Sequence, residues 1–488
     1  MKHILAKNAL HILSVFALMV LWGCSKPDDS SPKPDPNDPN QASALIQKVN
    51  NFIFDTMDDY YLWTTHMPRN IDRRYEKDPA AYFEKLLYKP DDRWSIITDD
   101  YEGMTEGSAG VETTFGYDLA FGGFSNSDSY FAIVRYVYPD SPAAEAGLKR
   151  GSLIVKVNGA SITEANYLQL FYNATNAFTM GRLESGTIYE DHILTIDAKK
   201  MQLSPIIVEE IFDIGGQKIG YLHYSNFFGG SETLLDAVFG RFKTAGIQHL
   251  ILDVRYNGGG SVATAARLSS LIAPATVLDG KTVLASYQWN AFFQDYWSKN
   301  NPSQLGILFE TKDKAYNNLN LNKIYILTGP GSASASEFVM TGLAPYMTVV
   351  KIGGTTHGKY TASSLFQAEE YVNGKWVVIK GAENWGIQPI IFRYANASGV
   401  TDFKDGFVPD YPVTDVLMEG VKALGDQSEP LLAKAIELIA GVPAPAMPAT
   451  RMAGFTPADH LLSRPDYFHG SLLVERPELP RRIPSSAN

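Results

Sequence analysis

The chain has 488 residues, 45% hydrophobic and 19% charged, which is enough for two or three domains with ordinary cores. Its formal net charge of −11, without a basic run of useful length, excludes nucleic acid as an expected partner. A single cysteine excludes an internal disulfide framework.

The N-terminus has the features of an export signal. A basic start precedes the largely apolar stretch Ala9–Trp22, which is too short for a comfortable membrane span. Cys24 follows this stretch in the sequence Leu21-Trp22-Gly23-Cys24, which resembles the lipobox of bacterial lipoproteins, in which the cysteine is acylated. We therefore predict a lipoprotein signal peptide over 1–23, lipidation of Cys24, and a Pro/Asp-rich tether over 24–42. The alternatives are an uncleaved anchor and an ordinary signal peptide.

The next segment has a helical period. Ser43 is a suitable N-cap, and apolar residues follow it at steps of three and four, namely Leu45, Val49, Ile53, Met57 and Tyr60. We predict a small helical N-terminal domain over 43–107, with its aromatic side chains in the core.

Residues 108–200 change to strand patterns. A strand over 131–137, a short helix over 141–147 that Gly147 ends, and a strand over 153–157 closed by an Asn-Gly turn follow one another. This order and the phrase DSPAAEAGLKRGSLIVKVNG resemble a PDZ domain.

The resemblance implies a peptide-binding groove. In PDZ domains a loop before the first long strand caps a peptide's terminal carboxylate, and the peptide adds as a β-strand. The matching stretch here is Phe115, Gly116, Tyr117, Asp118 and Leu119. Because an acid at Asp118 is expected to repel a carboxylate, capture of a C-terminus by this loop stays open.

A third pattern covers 201–442, where strands alternate with helices. The buried-type strand 249–255 leads into the glycines 258–260, and the strand 324–327 leads into a serine-rich helix start. Such alternation predicts an α/β layer arrangement, in which reactive groups lie beyond the carboxyl ends of strands. Residues 443–488 are rich in proline and are predicted to be a C-terminal extension.

The run Gly331–Glu337 carries the candidate chemistry. Ser334 lies where an apolar helix begins, and Lys359 follows 25 residues later. A serine hydroxyl is a poor nucleophile until a base takes its proton, and a buried lysine can be that base when neutral. The pattern indicates a Ser/Lys hydrolase; the alternative is a structural helix start near a surface lysine. Ser332 or Ser336 as nucleophile, and His357 as base, are also open, and no metal-ligand spacing is present.

Together these motifs resemble the carboxyl-terminal processing peptidases, or tail-specific proteases. The resemblance spans roughly residues 45–420 and includes LDVRYNGGG, GSASASE, GGTTHGK and GFVPDYPV. It implies a multidomain α/β (α+β) fold with a ClpP/crotonase-like peptidase domain and no cofactor. It also implies Ser334 as nucleophile, Lys359 as base, and backbone N–H groups of Gly259 and Ala335 as the oxyanion hole.

One position departs from the family pattern. Many members have a glutamine four residues after the lysine, whereas this chain has Ser363. Ser364 or Gln367 could replace it, and Glu337, which matches a family position, either supports the site or caps the helix.

We therefore predict a serine endopeptidase that cleaves polypeptides in the bacterial cell envelope. It would be lipid-anchored to the outer membrane, facing the periplasm or the cell surface, with a homodimer left open. The alternatives are a catalytically silent peptide-binding PDZ lipoprotein and a hydrolase for small esters or amides.

Overall fold

The computed structural model describes residues 38–124, 127–443, 455–458 and 472–474. The elements below all belong to one unit that begins at Ala42. The predicted signal peptide, Cys24 and most of the tether lie outside the described residues. Within the described ranges, no helix has both the length and the apolar character needed to cross a membrane.

The N-terminal region is helical, as predicted. The Ser43 side chain accepts the Ile46 N–H, and Asp78 caps the next helix in the same way, so local polar side chains set both starts. Most of the predicted apolar face is buried in the main core, although Leu45 is exposed. The elements are α1 (Ala44–Tyr60), α2 (Pro79–Leu86), β1 (Ile96–Thr98) and α3 (Tyr101–Ser108).

The PDZ region is built on an antiparallel sheet of order β3-β4-β5-β7-β8, while β2 pairs with β9. Aromatic and aliphatic side chains of β3, β5, β7 and α5 form its own core. Its elements are β2 (Val111–Thr114), β3 (Tyr117–Phe124), β4 (Tyr130–Val137), α4 (Pro142–Glu145), β5 (Leu153–Val157), β6 (Ala160–Ser161), α5 (Tyr167–Phe171), β7 (Thr175–Glu184), β8 (Thr187–Asp197) and β9 (Lys199–Gln202).

The peptidase region has two six-stranded sheets, a three-stranded sheet that includes β1, and a two-stranded sheet. Its elements are β10 (Ile206–Ile214), β11 (Gln217–Tyr224), α6 (Glu232–Ala245), β12 (His249–Asp253), β13 (Gly260–Ser261), α7 (Val262–Ile272), β14 (Val283–Trp289), α8 (Ala291–Asn300), β15 (Gly306–Leu308), β16 (Lys323–Thr328), α9 (Ala335–Leu343), β17 (Thr348–Gly353), β18 (Thr361–Ser363), β19 (Phe366–Gln367), β20 (Glu369–Val372), β21 (Lys375–Val378), β22 (Gly386–Gln388), β23 (Ile390–Asn396), β24 (Tyr411–Pro412) and α10 (Pro430–Ala440).

The sheet of order β10-β11-β12-β16-β17-β24 positions the site. All its pairs from β11 onward are parallel, so the carboxyl ends of β12, β16 and β17 meet at one edge. The glycine turn follows β12, the serine run follows β16, and Lys359 follows β17. Three segments that are distant in sequence therefore converge at the edge where α/β folds place reactive groups.

A network of charged side chains joins the PDZ and peptidase regions. The Arg150 guanidinium donates to Tyr256 Oη at 2.6 Å and to Asp415 Oδ1 at 2.6 Å. Arg255, which is fully buried, contacts Asp415 and pairs with Asp253 and Glu429 at 2.6–3.0 Å. Because each buried charge has a partner, the network can persist inside the protein.

Two short pieces of the C-terminal extension also join the fold. They are β25 (Phe455–Pro457) and β26 (Leu472–Leu473). The first extends the PDZ sheet at β3, and the second lies between β13 and β18 in the sheet of order β13-β26-β18-β23-β14-β15. Nothing in the composition of the extension predicts this pairing.

Candidate active site

Ser334 lies at a strained turn. It is the N-cap of α9, and its backbone has φ 58° and ψ −104°, outside the regions that side-chain-bearing residues prefer. A residue held in such a conformation costs about 1–3 kcal/mol, and the surrounding structure must enforce it. Strain of this kind is concentrated at functional sites, so the turn singles out Ser334 within the run.

The three hydroxyls of the serine run differ in what they contact. Ser332 Oγ donates to the Val254 carbonyl at 2.8 Å, and Ser336 Oγ donates to the Asn257 carbonyl at 3.0 Å. Ser334 Oγ is buried and forms no hydrogen bond with any residue of the described ranges. The Ser332 and Ser336 hydroxyls therefore stabilise the turn, whereas the Ser334 hydroxyl is available to act as a nucleophile.

Lys359 is an amine in an apolar setting. Its side chain is 1% exposed, and Nζ lies 5.6 Å from the centre of the Trp94 ring. Burial lowers the pKa of Lys359 from its ordinary value of 10.5 to about 7, although Asp92 and Glu337 oppose the shift. An amine with this pKa is substantially neutral at physiological pH, as a general base must be.

Glu337 fastens the two candidate residues to each other. Its carboxylate accepts the backbone N–H groups of Ser334 at 2.8 Å, Gly358 at 2.6 Å and Lys359 at 2.8 Å. It also accepts the Thr356 hydroxyl at 2.6 Å. Burial raises the pKa of Glu337 above its ordinary value, and these four hydrogen bonds, which favour the charged form, offset only part of that rise.

Tyr394 makes a second connection from β23. Its buried hydroxyl lies 3.3 Å from the Ser334 carbonyl and 3.2 Å from the Lys359 carbonyl. Ser334 Oγ and Lys359 Nζ are not hydrogen-bonded to each other. Glu337 and Tyr394 nevertheless fix the backbones of both residues. A hydrogen bond between a nucleophile and its base commonly tightens only when substrate binds.

The glycine turn is attached to the serine run through Asn257. The Asn257 carbonyl accepts the Ala333 N–H at 3.0 Å, and its side-chain amide donates to the Tyr224 carbonyl at 2.9 Å. Asn257 Oδ1 accepts the Gly259 N–H at 2.9 Å, so this predicted oxyanion donor already has a partner here. Ala335, the other predicted donor, is the first residue of α9, where backbone N–H groups have no helical acceptor.

Ser363, four residues after Lys359, forms a hydrogen-bonded pair with a glutamine from another strand. Ser363 is buried, and its Oγ accepts Gln388 Nε2 at 2.8 Å. Ser364 donates to the Val474 carbonyl, and Gln367 donates to the Glu383 carbonyl. The glutamine at this position is therefore Gln388 on β22, which no sequence motif indicates because it lies 25 residues beyond Ser363.

His357 is exposed, and its imidazole lies 3.5 Å from the Trp94 indole nitrogen. It makes no hydrogen bond to Ser334 Oγ.

The predicted peptide-binding loop has its acid paired. Asp118 is buried and accepts a hydrogen bond from Arg135 Nη1 at 3.3 Å, and the Arg135 guanidinium stacks 5.2 Å from the Tyr256 ring centre. Phe115 and Leu119 are buried in the PDZ core. Because Arg135 compensates the Asp118 charge, the expected repulsion of a carboxylate is reduced.

Gly116 and Tyr117 complete that loop. Gly116 has φ 82°, and a Cβ there would lie 2.1 Å from the Ser141 Cβ, so only glycine fits. The Tyr117 ring stacks on Phe115 with centroids 5.7 Å apart. Within the described part of the chain, no group of His, Cys, Asp and Glu side chains could hold a metal ion.

Three protein-family models match the chain. Peptidase family S41 matches residues 218–413, the Peptidase S41 N-terminal domain matches 48–96, and the PDZ domain matches 133–177. The order of these matches is that of the three regions described above.

Individual proteins of known sequence or structure are also similar to this chain. The chloroplastic C-terminal processing peptidase of Tetradesmus obliquus is 23% identical over 387 residues, covering 74% of each chain. The carboxy-terminal processing protease CtpA of Bacillus subtilis is 26% identical over 249 residues, covering 50% of this chain and 47% of its own. A solved structure assigned as an S41 protease of Bacteroides fragilis has a TM-score of 0.65 at 27% identity, covering 80% of this chain and 97% of its own.

Proposed function

Because the chain belongs to peptidase family S41, we propose that it cleaves polypeptides with Ser334 as nucleophile and Lys359 as general base. Membership makes it a serine-type peptidase of the C-terminal processing group. The observation that carries the residue assignment is the difference among three neighbouring serines. Only Ser334 Oγ is left without a hydrogen bond to the described residues, and it lies at the strained turn.

The proposed reaction uses neutral Lys359 first. Its amine takes the Ser334 hydroxyl proton as Oγ attacks the scissile carbonyl, and the ammonium then gives that proton to the leaving amine. Water hydrolyses the resulting acyl-enzyme with the same amine as base. The Glu337 and Tyr394 contacts keep both backbones in place through these steps.

The developing oxyanion needs fixed donors. The Ala335 N–H, at the positive end of α9, is proposed as one oxyanion donor. Gly259 stays the predicted second donor; it would have to share or release its hydrogen bond to Asn257. Polypeptides are the proposed substrates, since the PDZ region offers a groove in which an extended chain can add as a strand.

One experiment separates this proposal from its alternatives. Wild type and Ser334→Ala are given a denatured protein and, separately, a small ester. We expect wild type to cleave the protein and Ser334→Ala to lose that activity by on the order of 10⁴-fold or more. Hydrolysis of the ester alone would favour a small-molecule hydrolase. Peptide binding without hydrolysis of either substrate would favour a silent binding protein.

We also propose that the protein is held in the bacterial cell envelope by a lipid on Cys24. The support is the sequence pattern of residues 1–24, a basic start and an apolar stretch that ends at cysteine. Cells grown with a labelled fatty acid should incorporate label into wild type and not into Cys24→Ser. Equal labelling of the two proteins would contradict the anchor.

A further inference from the structure

The C-terminal extension contacts the two places where a peptide substrate is expected to bind. β25 adds to the edge of the PDZ sheet at β3, and β26 lies in the cleft between β13 and β18, which adjoin the glycine turn and Lys359. The two pieces belong to one segment of the chain, from residue 455 to residue 474.

The groove contact has the form of strand addition. Phe455, Thr456 and Pro457 of β25 lie antiparallel to β3, and Pro457 is opposite Gly122. The next residue, Ala458, donates its N–H to the Phe121 carbonyl at 3.0 Å. Because hydrogen-bonded and non-bonded pairs alternate in an antiparallel ladder, Pro457 occupies a position that needs no N–H.

The side chains agree with this placement. Ala458 is 2% exposed and packs in the PDZ core cluster with Phe121 of β3 and Phe171 of α5. The antiparallel register also makes β25 run toward the start of β3, where the predicted peptide-binding stretch Phe115–Leu119 lies. A peptide whose terminus reaches that loop would run the same way.

The cleft contact involves residues next to the catalytic groups. Leu472 pairs in parallel with Gly260, which follows the predicted oxyanion glycine, and Leu473 pairs with Ser363, four residues after Lys359. The Val474 N–H donates to the Ser363 carbonyl at 3.1 Å, and Ser364 Oγ donates to the Val474 carbonyl at 3.2 Å. Residues Leu472–Val474 therefore lie as an extended strand between β13, next to the predicted oxyanion glycine, and β18, which follows the proposed base.

We propose that the segments Phe455–Ala458 and Leu472–Val474 are an intramolecular ligand that a polypeptide substrate must displace from groove and cleft. This inference rests on the proposed function, because the PDZ groove and the cleft matter as sites of competition only if polypeptide substrates bind there. A tethered segment competes at an effective concentration in the millimolar range, so it weakens binding of any peptide of ordinary affinity.

The test of the groove contact uses no catalysis. In the full-length Ser334→Ala chain, binding of a fluorescent peptide of residues 453–460 is measured by anisotropy. Ala458→Asp places a charge in an apolar pocket and should release β25, so peptide affinity should rise about tenfold or more. Val442→Asp introduces the same charged side chain at an exposed residue before the extension and should leave the affinity unchanged. Equal affinity in all three proteins, or no binding to any, would overturn the inference.

The cleft contact is tested in the active chain. Val474→Pro removes the N–H that Ser363 accepts, so β26 should leave the cleft and hydrolysis of a small ester should increase severalfold. Ala458→Asp should lower KM for a denatured protein with little change in kcat, while Val442→Asp changes neither. Unchanged rates in both Val474→Pro and Ala458→Asp would contradict the proposal that the extension competes with substrate. If no protein hydrolyses any substrate, the proposed function fails, and the anisotropy result still decides whether the extension occupies the groove.

Discussion

Replacing Lys359 with methionine is expected to lower kcat on a denatured protein by on the order of 10⁴-fold or more. Methionine keeps the length and apolar stem of the side chain, so the buried site stays filled. It removes the buried amine of the residue whose backbone is linked to that of Ser334 through Glu337 and Tyr394. Without that base the Ser334 hydroxyl keeps its proton and remains a weak nucleophile.

The double variant tests whether the two residues act as one unit. Ser334→Ala with Lys359→Met should be barely slower than either single variant, because residues that act together are strongly non-additive. Lys359→Arg should be inactive too, since a guanidinium stays protonated. Retained turnover by a folded Lys359→Arg protein would exclude lysine as base and favour His357.

The pH profile gives an independent readout of the same residue. Burial holds the pKa of Lys359 at about 7, so the amine is protonated below that pH and neutral above it. The wild-type kcat/KM should therefore rise with pH and level off above about pH 8. His357→Gln, at an exposed residue, should keep this profile. A midpoint near the ordinary lysine value of 10.5 would contradict the assignment.

Arg255→Met is expected to have the largest effect on stability, a loss of about 3–5 kcal/mol in the free energy of unfolding. The guanidinium is buried and pairs with Asp253 and Glu429, and the substitution leaves these two buried carboxylates without their shared guanidinium. Denaturant unfolding measures the loss. Arg241→Met removes an exposed partner of Glu209 and should cost less than about 1 kcal/mol.

The pH dependence of that loss follows from the carboxylates. Burial alone would raise the pKa of Asp253, but Arg255 and His223 lower it to well below its usual value of 3.8. The wild-type contribution is therefore present above about pH 4 and lost as pH falls below it. In Arg255→Met burial acts unopposed by the guanidinium, so the pKa of Asp253 rises. The difference between the two proteins should therefore shrink from pH 8 to pH 5. A constant difference would show that packing, not charge, dominates.

The parts of the fold that depend on local patterns could be predicted from the sequence. Apolar runs closed by glycine and serine turns identify β12 and β16, and caps such as Ser43 identify helix starts. The convergence of Ser334 and Lys359 also follows, because parallel strands end at one sheet edge.

Contacts between distant segments could not be predicted. Tyr394, Gln388 and Trp94 reach the site from strands and loops whose sequences carry no catalytic motif. The pairing of Asp118 with Arg135 depends on the register of β3 and β4, which a single sequence does not fix. β25 and β26 have three and two residues, too few for any hydrophobic period to appear.

The hydrogen bonds of Glu337 bear on how the enzyme rests between turnovers. A buried acid beside a buried amine would ordinarily settle as an ion pair, with the proton on the amine. Here three backbone N–H groups and the Thr356 hydroxyl already surround the carboxylate, so its charge is compensated without the ammonium form of Lys359. No ion pair between Glu337 and Lys359 then has to be broken at the start of each catalytic cycle.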